Sequence, residues 1–285
     1  MSLDFYRTPV EMTAPGRHAA VLKDLPRDVK ALAAIVQGVM VHEHMGDIYG
    51  TAFTPEQHGE AHLRRLDAVL DRMASHRPND PLAARPPAER TVGVCRHFTL
   101  LHVAMLRAQG VPARARCGFG GYFTAGKYAD HWVSEYWDEA RRRWILVDSQ
   151  VDARQREAFG ITIDLMDVPR DRFLVAGDAW QLCRAGKADP RDFGIFDMQG
   201  LWFIASNVIR DLAALNNREM LPWDVWGAMT PLDAELDLAL IDRLAALTHE
   251  PDAHFETLRA VYENDTRLKV PATVFNHVLQ RQEAA

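Results

Sequence analysis

Three residue types that cooperate in nucleophilic catalysis follow one another in this sequence: Cys95, His131 and Asp148. A thiolate can attack a carbonyl carbon, an imidazole can carry protons, and a carboxylate can orient the imidazole. Each residue also has an ordinary interpretation, since core cysteines, surface histidines and strand-end aspartates are common. The local pattern around each residue therefore decides whether the three can act together.

Cys95 opens a segment with helical periodicity. Apolar residues recur at helical spacing over residues 94–109, and Gly110 followed by Val111-Pro112 is typical of a helix end. At a helix start, the unpaired N–H groups and the helix dipole stabilise an anion, and the thiolate is the nucleophilic form of cysteine. The alternative is a packed core cysteine.

The histidine and the aspartate lie on a predicted β-hairpin. Residues 131–137 and 143–148 alternate in polarity, and a polar stretch separates them. A turn centred between Glu139 and Ala140 would place His131 opposite Asp148, with Cβ atoms about 5 Å apart. The aspartate could then bond one imidazole nitrogen and leave the other for the cysteine. Because Glu-Ala is a poor two-residue turn, a longer loop with a shifted register is the alternative.

These segments resemble the bacterial transglutaminase-like core over about residues 60–150. The resemblance is carried by four runs: Gly-Val-Cys-Arg from Gly93, Leu-Arg-Ala-Gln-Gly-Val-Pro-Ala-Arg from Leu106, His-Trp-Val-Ser-Glu-Tyr from His131, and Trp-Ile-Leu-Val-Asp-Ser from Trp144. It implies an α+β, papain-like fold in which a helix-start cysteine packs on an antiparallel sheet.

The resemblance also implies a papain-type triad. Cys95 would be the nucleophile, His131 the base and acid, and Asp148 the residue that orients the histidine. The sequence departs from the family pattern at His97-Phe98 and at Ser149-Gln150, which implies an altered pocket beside an intact triad.

The reaction stays open, because the family includes transamidases, peptidases, amidases, deglycosylases and inactive scaffolds. We expect a cysteine-dependent acyl-transfer enzyme that acts on a peptide, amide or small-molecule acyl substrate through a thioester. Hydrolysis is favoured, since water needs no dedicated binding site. The alternatives are a transglutaminase or other amide-forming acyltransferase, and a non-catalytic binding module. The Cys95 backbone N–H would stabilise the oxyanion, with a second donor from Tyr49, Gln57 or His58.

No cofactor and no metal are expected. Cysteine and histidine occur at Cys95, His97 and His102, and a His-Glu-His run begins at His42, but no spacing fixes four ligands. His102 lies on the apolar side of its segment and is predicted to be a core residue. Alternating carboxylates typical of a calcium loop are not seen.

Composition indicates an ordinary globular protein. The chain has 285 residues, 48% hydrophobic content and a net charge of −6, which argues against nucleic acid or an anionic membrane as partner. Three cysteines and the lack of an apolar leader predict a cytoplasmic protein with reduced thiols. The oligomeric state is left open.

Two regions are predicted. Residues 1–164 would form the catalytic core with N-terminal helices, including residues 28–44 and a helix that Thr54 and Gln57 open as a capping box. A strand at 113–119 and a polar loop at 124–130 would follow. Residues 165–285 would form a mainly helical region, either a separate lobe or packed as one unit with the core. Its predicted helices span 170–184, 200–215, 232–247, 253–264 and 272–282.

Overall fold

The computed structural model describes residues 2–285. It is an α+β fold, as predicted, and contains two compact units. The first unit comprises the chain up to Ala115 together with Val133–Pro169, and the second comprises Arg116–Trp132 and Arg170–Ala285. The proposed functional boundary after residue 164 stays a prediction. Within residues 2–285, no helix combines the length and the apolar character needed to cross a membrane.

The elements up to residue 169 alternate short helices with strands. The helices are α1 Ser2–Phe5, α2 Ala19–Lys23, α3 Val29–Val39, α4 Pro55–Glu60, α5 Leu66–His76, α6 Cys95–Ala108 and α7 Ala153–Ala158. The strands are β1 Met40–His42, β2 Thr91–Gly93, β3 Ala113–Thr124, β4 Lys127–Asp138 and β5 Arg143–Val147.

From residue 170 onward, helices are longer and strands are short. The elements in chain order are β6 Phe173–Val175, α8 Ala176–Arg184, β7 Phe193–Ile195, β8 Met198–Gln199, α9 Leu201–Leu215, β9 Asp224–Val225, α10 Leu238–His249, α11 Phe255–Asn264, β10 Thr273–Asn276 and β11 Arg281–Ala284. Helices α8, α9 and α10 pack on one another.

The main sheet has the strand order β6-β3-β4-β7-β8, and β5 pairs with β4. In the first unit, the end of β4 pairs antiparallel with β5. In the second unit, β3 pairs antiparallel with β6, and β4 pairs parallel with β7. Gly118 is required at the β3–β6 contact, because a Cβ there would lie 2.2 Å from the Leu174 carbonyl oxygen.

A short parallel pair leads the chain into α6. β1 pairs with β2 from Met40 opposite Thr91 to His42 opposite Gly93. The buried Glu60 carboxylate accepts the Val92 N–H at 2.7 Å and thereby fixes β2 directly before the cysteine helix. The helix predicted over residues 28–44 was too long, because the chain leaves α3 at Val39 to form this pairing.

Other boundaries also differ from the prediction. The Thr54–Gln57 capping box forms, but the helix it opens ends at Glu60 and a second one begins at Leu66. The polar loop predicted at 124–130 is a tight turn at Ala125-Gly126 between β3 and β4. Residues 272–282, predicted to be helical, instead contribute to the hairpin of β10 and β11, in which Val274 is buried.

Candidate active site

Cys95 is the first residue of α6, as the sequence predicted. The backbone of Val94 before it is extended, and only 6% of Cys95 is exposed. Gly93 permits this tight entry, because a Cβ there would lie 2.8 Å from Met40 Cε and 2.9 Å from His97 Cβ. Cys95 therefore occupies the helix-start position that the sequence predicted for it.

The His97 side chain stabilises the start of this helix through two hydrogen bonds to the backbone. Its Nδ1 accepts the Val94 N–H at 3.2 Å, so Nε2 carries the proton and donates to the Leu63 carbonyl at 2.8 Å. Burial, aided by the charge of Arg96, lowers the pKa of His97 to about 3. The ring is neutral and acts like the returning side chain of a capping box. His97 lies three residues after the N-cap Val94, which is the capping-box position. This spacing is the feature of the sequence that could have indicated its capping role.

His102 is a core histidine, as predicted. It is fully buried, its Nδ1 lies 2.9 Å from Ser134 Oγ, and its Nε2 lies 3.4 Å from the Val29 carbonyl. Burial lowers the pKa of its ring to about 4. Across residues 2–285, no group of three or more His, Cys, Asp or Glu side chains is arranged to hold a metal ion.

His131 lies on β4 and belongs to the second unit. It is 3% exposed and is surrounded by aromatic rings. Its ring centroid lies 4.9 Å from that of Phe123, 6.1 Å from that of Tyr122 and 6.3 Å from that of Phe173. The low exposure of the imidazole shields it from water, which strengthens its interaction with any nearby charge.

Asp148 follows β5 in the first unit and is fully buried. Its Oδ1 accepts the backbone N–H groups of Gln150 at 2.9 Å and of Val151 at 3.2 Å. Its own N–H donates to the Leu165 carbonyl at 2.9 Å. One carboxylate oxygen is therefore held as an acceptor by the turn after β5, which fixes the orientation of the whole side chain.

The predicted register of the β4–β5 hairpin was wrong by two residues. Ser134 lies opposite Val147 and Asp138 lies opposite Arg143, so the turn spans 139–142 instead of centring between Glu139 and Ala140. Extension of this register pairs Asp148 with Val133 rather than with His131. The longer loop forms because Arg142 adopts a left-handed conformation at φ 51°, and Asp138 Oδ1 accepts the Arg141 N–H. A shift of two residues leaves the strand faces unchanged.

The residues after Asp148 form a partly buried polar cluster. Gln150 Nε2 donates to Gln155 Oε1 at 3.2 Å, Gln155 Nε2 donates to the Tyr49 hydroxyl at 2.9 Å, and that hydroxyl donates to Asp152 at 2.8 Å. Ser149 Oγ and Gln150 Oε1 are buried without a hydrogen-bond partner. The departure from the family pattern at these two residues therefore leaves two polar atoms available beside the aspartate.

The three candidates for a second oxyanion donor have different surroundings. The Tyr49 hydroxyl already donates its hydrogen bond to Asp152. The Gln57 side chain accepts the Thr54 N–H and donates to the Ala88 carbonyl, so both of its polar ends serve the helix start and a neighbouring loop. His58 Nδ1 lies 3.0 Å from Glu43 Oε1, and its side chain is 44% exposed.

The two remaining cysteines have other settings. Cys117 is fully buried on β3, and its N–H donates to Asp211 Oδ1 at 2.9 Å. Cys183 is half-buried on α8, and burial raises the pKa of its thiol to about 11. Neither stands at the first position of a helix, which is the position that Cys95 occupies.

Comparison with known proteins identifies the segment that holds all three predicted residues. Residues 53–149 match the family model of the transglutaminase-like superfamily. A crystal structure of a proposed cysteine protease from Cytophaga hutchinsonii is similar at 15% sequence identity and a TM-score of 0.34, a likeness too low to carry an argument. The match covers 61% of this chain and 45% of that protein, so the chain spans less than half of its length. No curated protein matches.

The family match supports cysteine-based catalysis in general, and it agrees with the placement of Cys95 at the start of α6. Residues 53–149 are therefore similar to the transglutaminase-like superfamily.

Proposed function

We propose that the chain is a cysteine-dependent acyl-transfer enzyme with Cys95, His131 and Asp148 as its triad. The observation that carries the proposal is the position of Cys95 as first residue of α6, within the segment that matches the transglutaminase-like family. Two further observations support it: His131 is a buried imidazole in aromatic surroundings, and Asp148 is a buried carboxylate with one oxygen fixed by backbone N–H groups.

In the proposed reaction, the Cys95 thiolate attacks the carbonyl carbon of an amide or ester. A C–S bond forms, and the carbonyl oxygen becomes an oxyanion that the backbone N–H at the start of α6 stabilises. As the C–N or C–O bond breaks, the imidazolium of His131 protonates the leaving amine or alcohol. The product of this half-reaction is a thioester on Cys95 and a neutral imidazole.

The second half-reaction uses water as acceptor. His131 removes a proton from water, the hydroxide oxygen attacks the thioester carbon, and the C–S bond breaks. The acid is released, and the thiolate and imidazolium are restored. Asp148 is proposed to accept the other imidazole N–H, which selects the tautomer and orients the ring. We infer that the acyl substrate is a peptide, another amide or a small-molecule ester.

An amine in place of water would make the protein a transglutaminase or another amide-forming acyltransferase. Hydrolysis is favoured, because an amine acceptor requires a binding site of its own and water does not. The acceptor is tested by incubating the protein with glutamine-containing casein and a fluorescent primary amine, without added calcium. We expect no incorporation above that of Cys95→Ala, together with thiol-dependent hydrolysis of activated esters and amides.

The matched control is Cys183→Ala, which removes a half-buried thiol of the second unit that has no part in the triad. This variant should hydrolyse activated esters like the wild type. Strong amine incorporation that disappears in Cys95→Ala would replace hydrolysis by transfer and keep the triad. Hydrolysis that survives in Cys95→Ala would contradict the proposed function itself.

A further inference from the structure

The helix that carries Cys95 begins without the usual capping side chain. Its N-cap residue is Val94, which has an extended backbone and makes no side-chain hydrogen bond to the helix. Serine, threonine, aspartate and asparagine are preferred at an N-cap, because their oxygen atoms accept an N–H group of the first turn. Since valine has no such atom, the position of this helix start depends on other groups.

The imidazole of His97 supplies two of the contacts that are needed. Its Nδ1 accepts the Val94 N–H at 3.2 Å, and its Nε2 donates to the Leu63 carbonyl oxygen at 2.8 Å. Leu63 lies between α4 and α5, 34 positions before His97, and all these residues belong to the first unit. One buried ring therefore connects the residue directly before Cys95 to a distant part of the chain.

The backbone that leads into α6 is held at neighbouring residues as well. The Glu60 carboxylate accepts the Val92 N–H at 2.7 Å, and the Glu43 N–H donates to the Gly93 carbonyl oxygen at 2.8 Å. Gly93 packs directly against the imidazole residue, because a Cβ at this glycine would lie 2.9 Å from His97 Cβ. The chain is thus fixed up to the residue before the N-cap, and the imidazole continues these contacts to the helix itself.

We propose that His97 is a positioning residue for Cys95: its ring holds the backbone of Val94 and thereby sets the place of the nucleophile and of its backbone N–H. This inference rests on the proposed function, in which the thiolate of Cys95 attacks the substrate and its N–H stabilises the oxyanion. His97 takes no proton and contacts no substrate in this role, since it acts through the backbone alone.

The role requires the neutral ring with its proton on Nε2. Only an unprotonated Nδ1 accepts an N–H, and the Leu63 carbonyl, which can only accept, selects this tautomer. Burial, aided by the charge of Arg96, lowers the pKa of His97 to about 3, so the neutral form persists at neutral pH. A carboxylate could accept the same N–H, but it would place a negative charge two residues from the thiol and disfavour the thiolate.

Two substitutions separate the contact with Val94 from the rest of the side chain. In His97→Asn, Oδ1 takes the place of Nδ1 and can accept the Val94 N–H, but the shorter side chain does not reach the Leu63 carbonyl. His97→Leu keeps a buried apolar side chain and removes both hydrogen bonds. The full chain of each variant is compared with the wild type by urea unfolding, by the rate of Cys95 alkylation with iodoacetamide, and by hydrolysis of p-nitrophenyl acetate.

We expect His97→Leu to alkylate about 3–30-fold more slowly at neutral pH, because the stabilisation of a thiolate by a helix start is confined to the first turn. Its kcat for hydrolysis should fall at least about tenfold, with KM within about twofold, since a displaced thiol and N–H act on the reacting carbonyl. His97→Asn should recover both rates to within about threefold of the wild type. Both variants should unfold at lower urea concentration, because each leaves the Leu63 carbonyl without its donor.

The matched control is His102→Leu. His102 is another fully buried histidine of α6 whose pKa is lowered by burial, and its ring contacts Ser134 and the Val29 carbonyl. It lies seven residues after Cys95, about 10 Å further along the helix axis. This variant should also unfold at lower urea concentration, but its folded form should keep the wild-type alkylation rate and kcat. If His97→Leu does not fold, His97→Met takes its place under the same criteria.

The inference would be overturned by wild-type alkylation in folded His97→Leu or His97→Met. Equal losses in His97→Asn and His97→Leu, or an equal loss in His102→Leu, would overturn it as well, because the contact with Val94 would then not decide the rate. The proposed function fails by a different result, which is hydrolysis that survives in Cys95→Ala. Alkylation of Cys95 needs no acyl transfer, so it tests the positioning role whatever the outcome for hydrolysis.

Discussion

Replacement of Asp148 by asparagine should impair the thiol chemistry of the protein far more than its stability. The reason lies in the two hydrogen bonds that Oδ1 accepts, from the N–H groups of Gln150 and Val151. In Asp148→Asn, the amide oxygen takes the Oδ1 position, because the opposite orientation would set two N–H groups against the amide NH₂. The NH₂ group then occupies the Oδ2 position, where it donates and cannot accept the N–H of His131 in the proposed triad.

The magnitudes follow from these two bonds. Asparagine exchanges two charge-assisted hydrogen bonds for two neutral ones, so we expect a loss of about 0–2 kcal/mol in the free energy of unfolding. Asp148→Ala leaves both buried N–H groups unsatisfied and should cost about 2–6 kcal/mol. In a triad, asparagine at this position favours the wrong imidazole tautomer, which can lower turnover by up to about 10⁴-fold.

The assay compares two quantities in the wild type and both variants. Urea unfolding gives the change in stability, and the rate of Cys95 alkylation by iodoacetamide near neutral pH gives the reactivity of the thiolate. We expect Asp148→Asn to alkylate at least about tenfold more slowly while it retains most of its stability. Equal alkylation rates in the wild type and Asp148→Asn, or equal destabilisation by asparagine and alanine, would refute the reasoning.

Two further predictions concern the thiols and the core of the second unit. Iodoacetamide at neutral pH should label Cys95 before the other two cysteines, as mapped by peptide mass spectrometry. Labelling of Cys183 should rise only in alkaline solution, because the pKa of its thiol is about 11. Faster labelling of Cys117 or Cys183 than of Cys95 would contradict this prediction. Asp211→Ala should lower the free energy of unfolding by about 3–5 kcal/mol, because it leaves the fully buried guanidinium of Arg116, now paired at 2.9 Å, without its counter-charge. In the same urea experiment, Asp192→Ala breaks an exposed ion pair and should cost less than about 1 kcal/mol, and similar losses in both variants would show that burial does not decide the cost.

Prediction of structure from the sequence was most accurate where it depended on patterns of neighbouring residues. The helix that begins at Cys95 followed from periodicity and from the glycine and proline after it, and the structure has it at Cys95–Ala108. The capping box at Thr54 also forms, since both of its hydrogen bonds lie within four residues. Fold class, the starts of these two helices and the core position of His102 depend on such short-range patterns, whereas the helices predicted from residues 170 and 232 begin only at Ala176 and Leu238.

Prediction failed where distant residues decide the conformation. Residues 40–42 continue a helical pattern but form β1, because they pair with a strand about fifty residues later. The β4–β5 register depends on the left-handed backbone of Arg142, and arginine gives no sequence signal for that conformation. Residues 273–276 form a strand because β9 and β11 lie on either side of them.

The contact between Asp130 and Asn207 could not be predicted for the same reason. The two residues are 77 positions apart, and neither belongs to a recognisable motif. Residues 124–130 were predicted to form a polar loop, so Asp130 was not recognised as a buried residue of β4. A buried polar pair of this kind can be identified only from the tertiary structure, in which a helix packs against a strand.

The central claim is that Cys95 becomes acylated with the help of His131, and trapping of the acyl-enzyme tests it most directly. The protein is mixed with p-nitrophenyl acetate at neutral pH, quenched in acid, and analysed by peptide mass spectrometry, beside Cys95→Ala and His131→Ala. The account predicts an acetyl group on Cys95 in the wild type, its absence in Cys95→Ala, and formation at least about tenfold slower in His131→Ala. Acetylation confined to another residue, or equally fast acetylation of Cys95 without His131, would contradict the account.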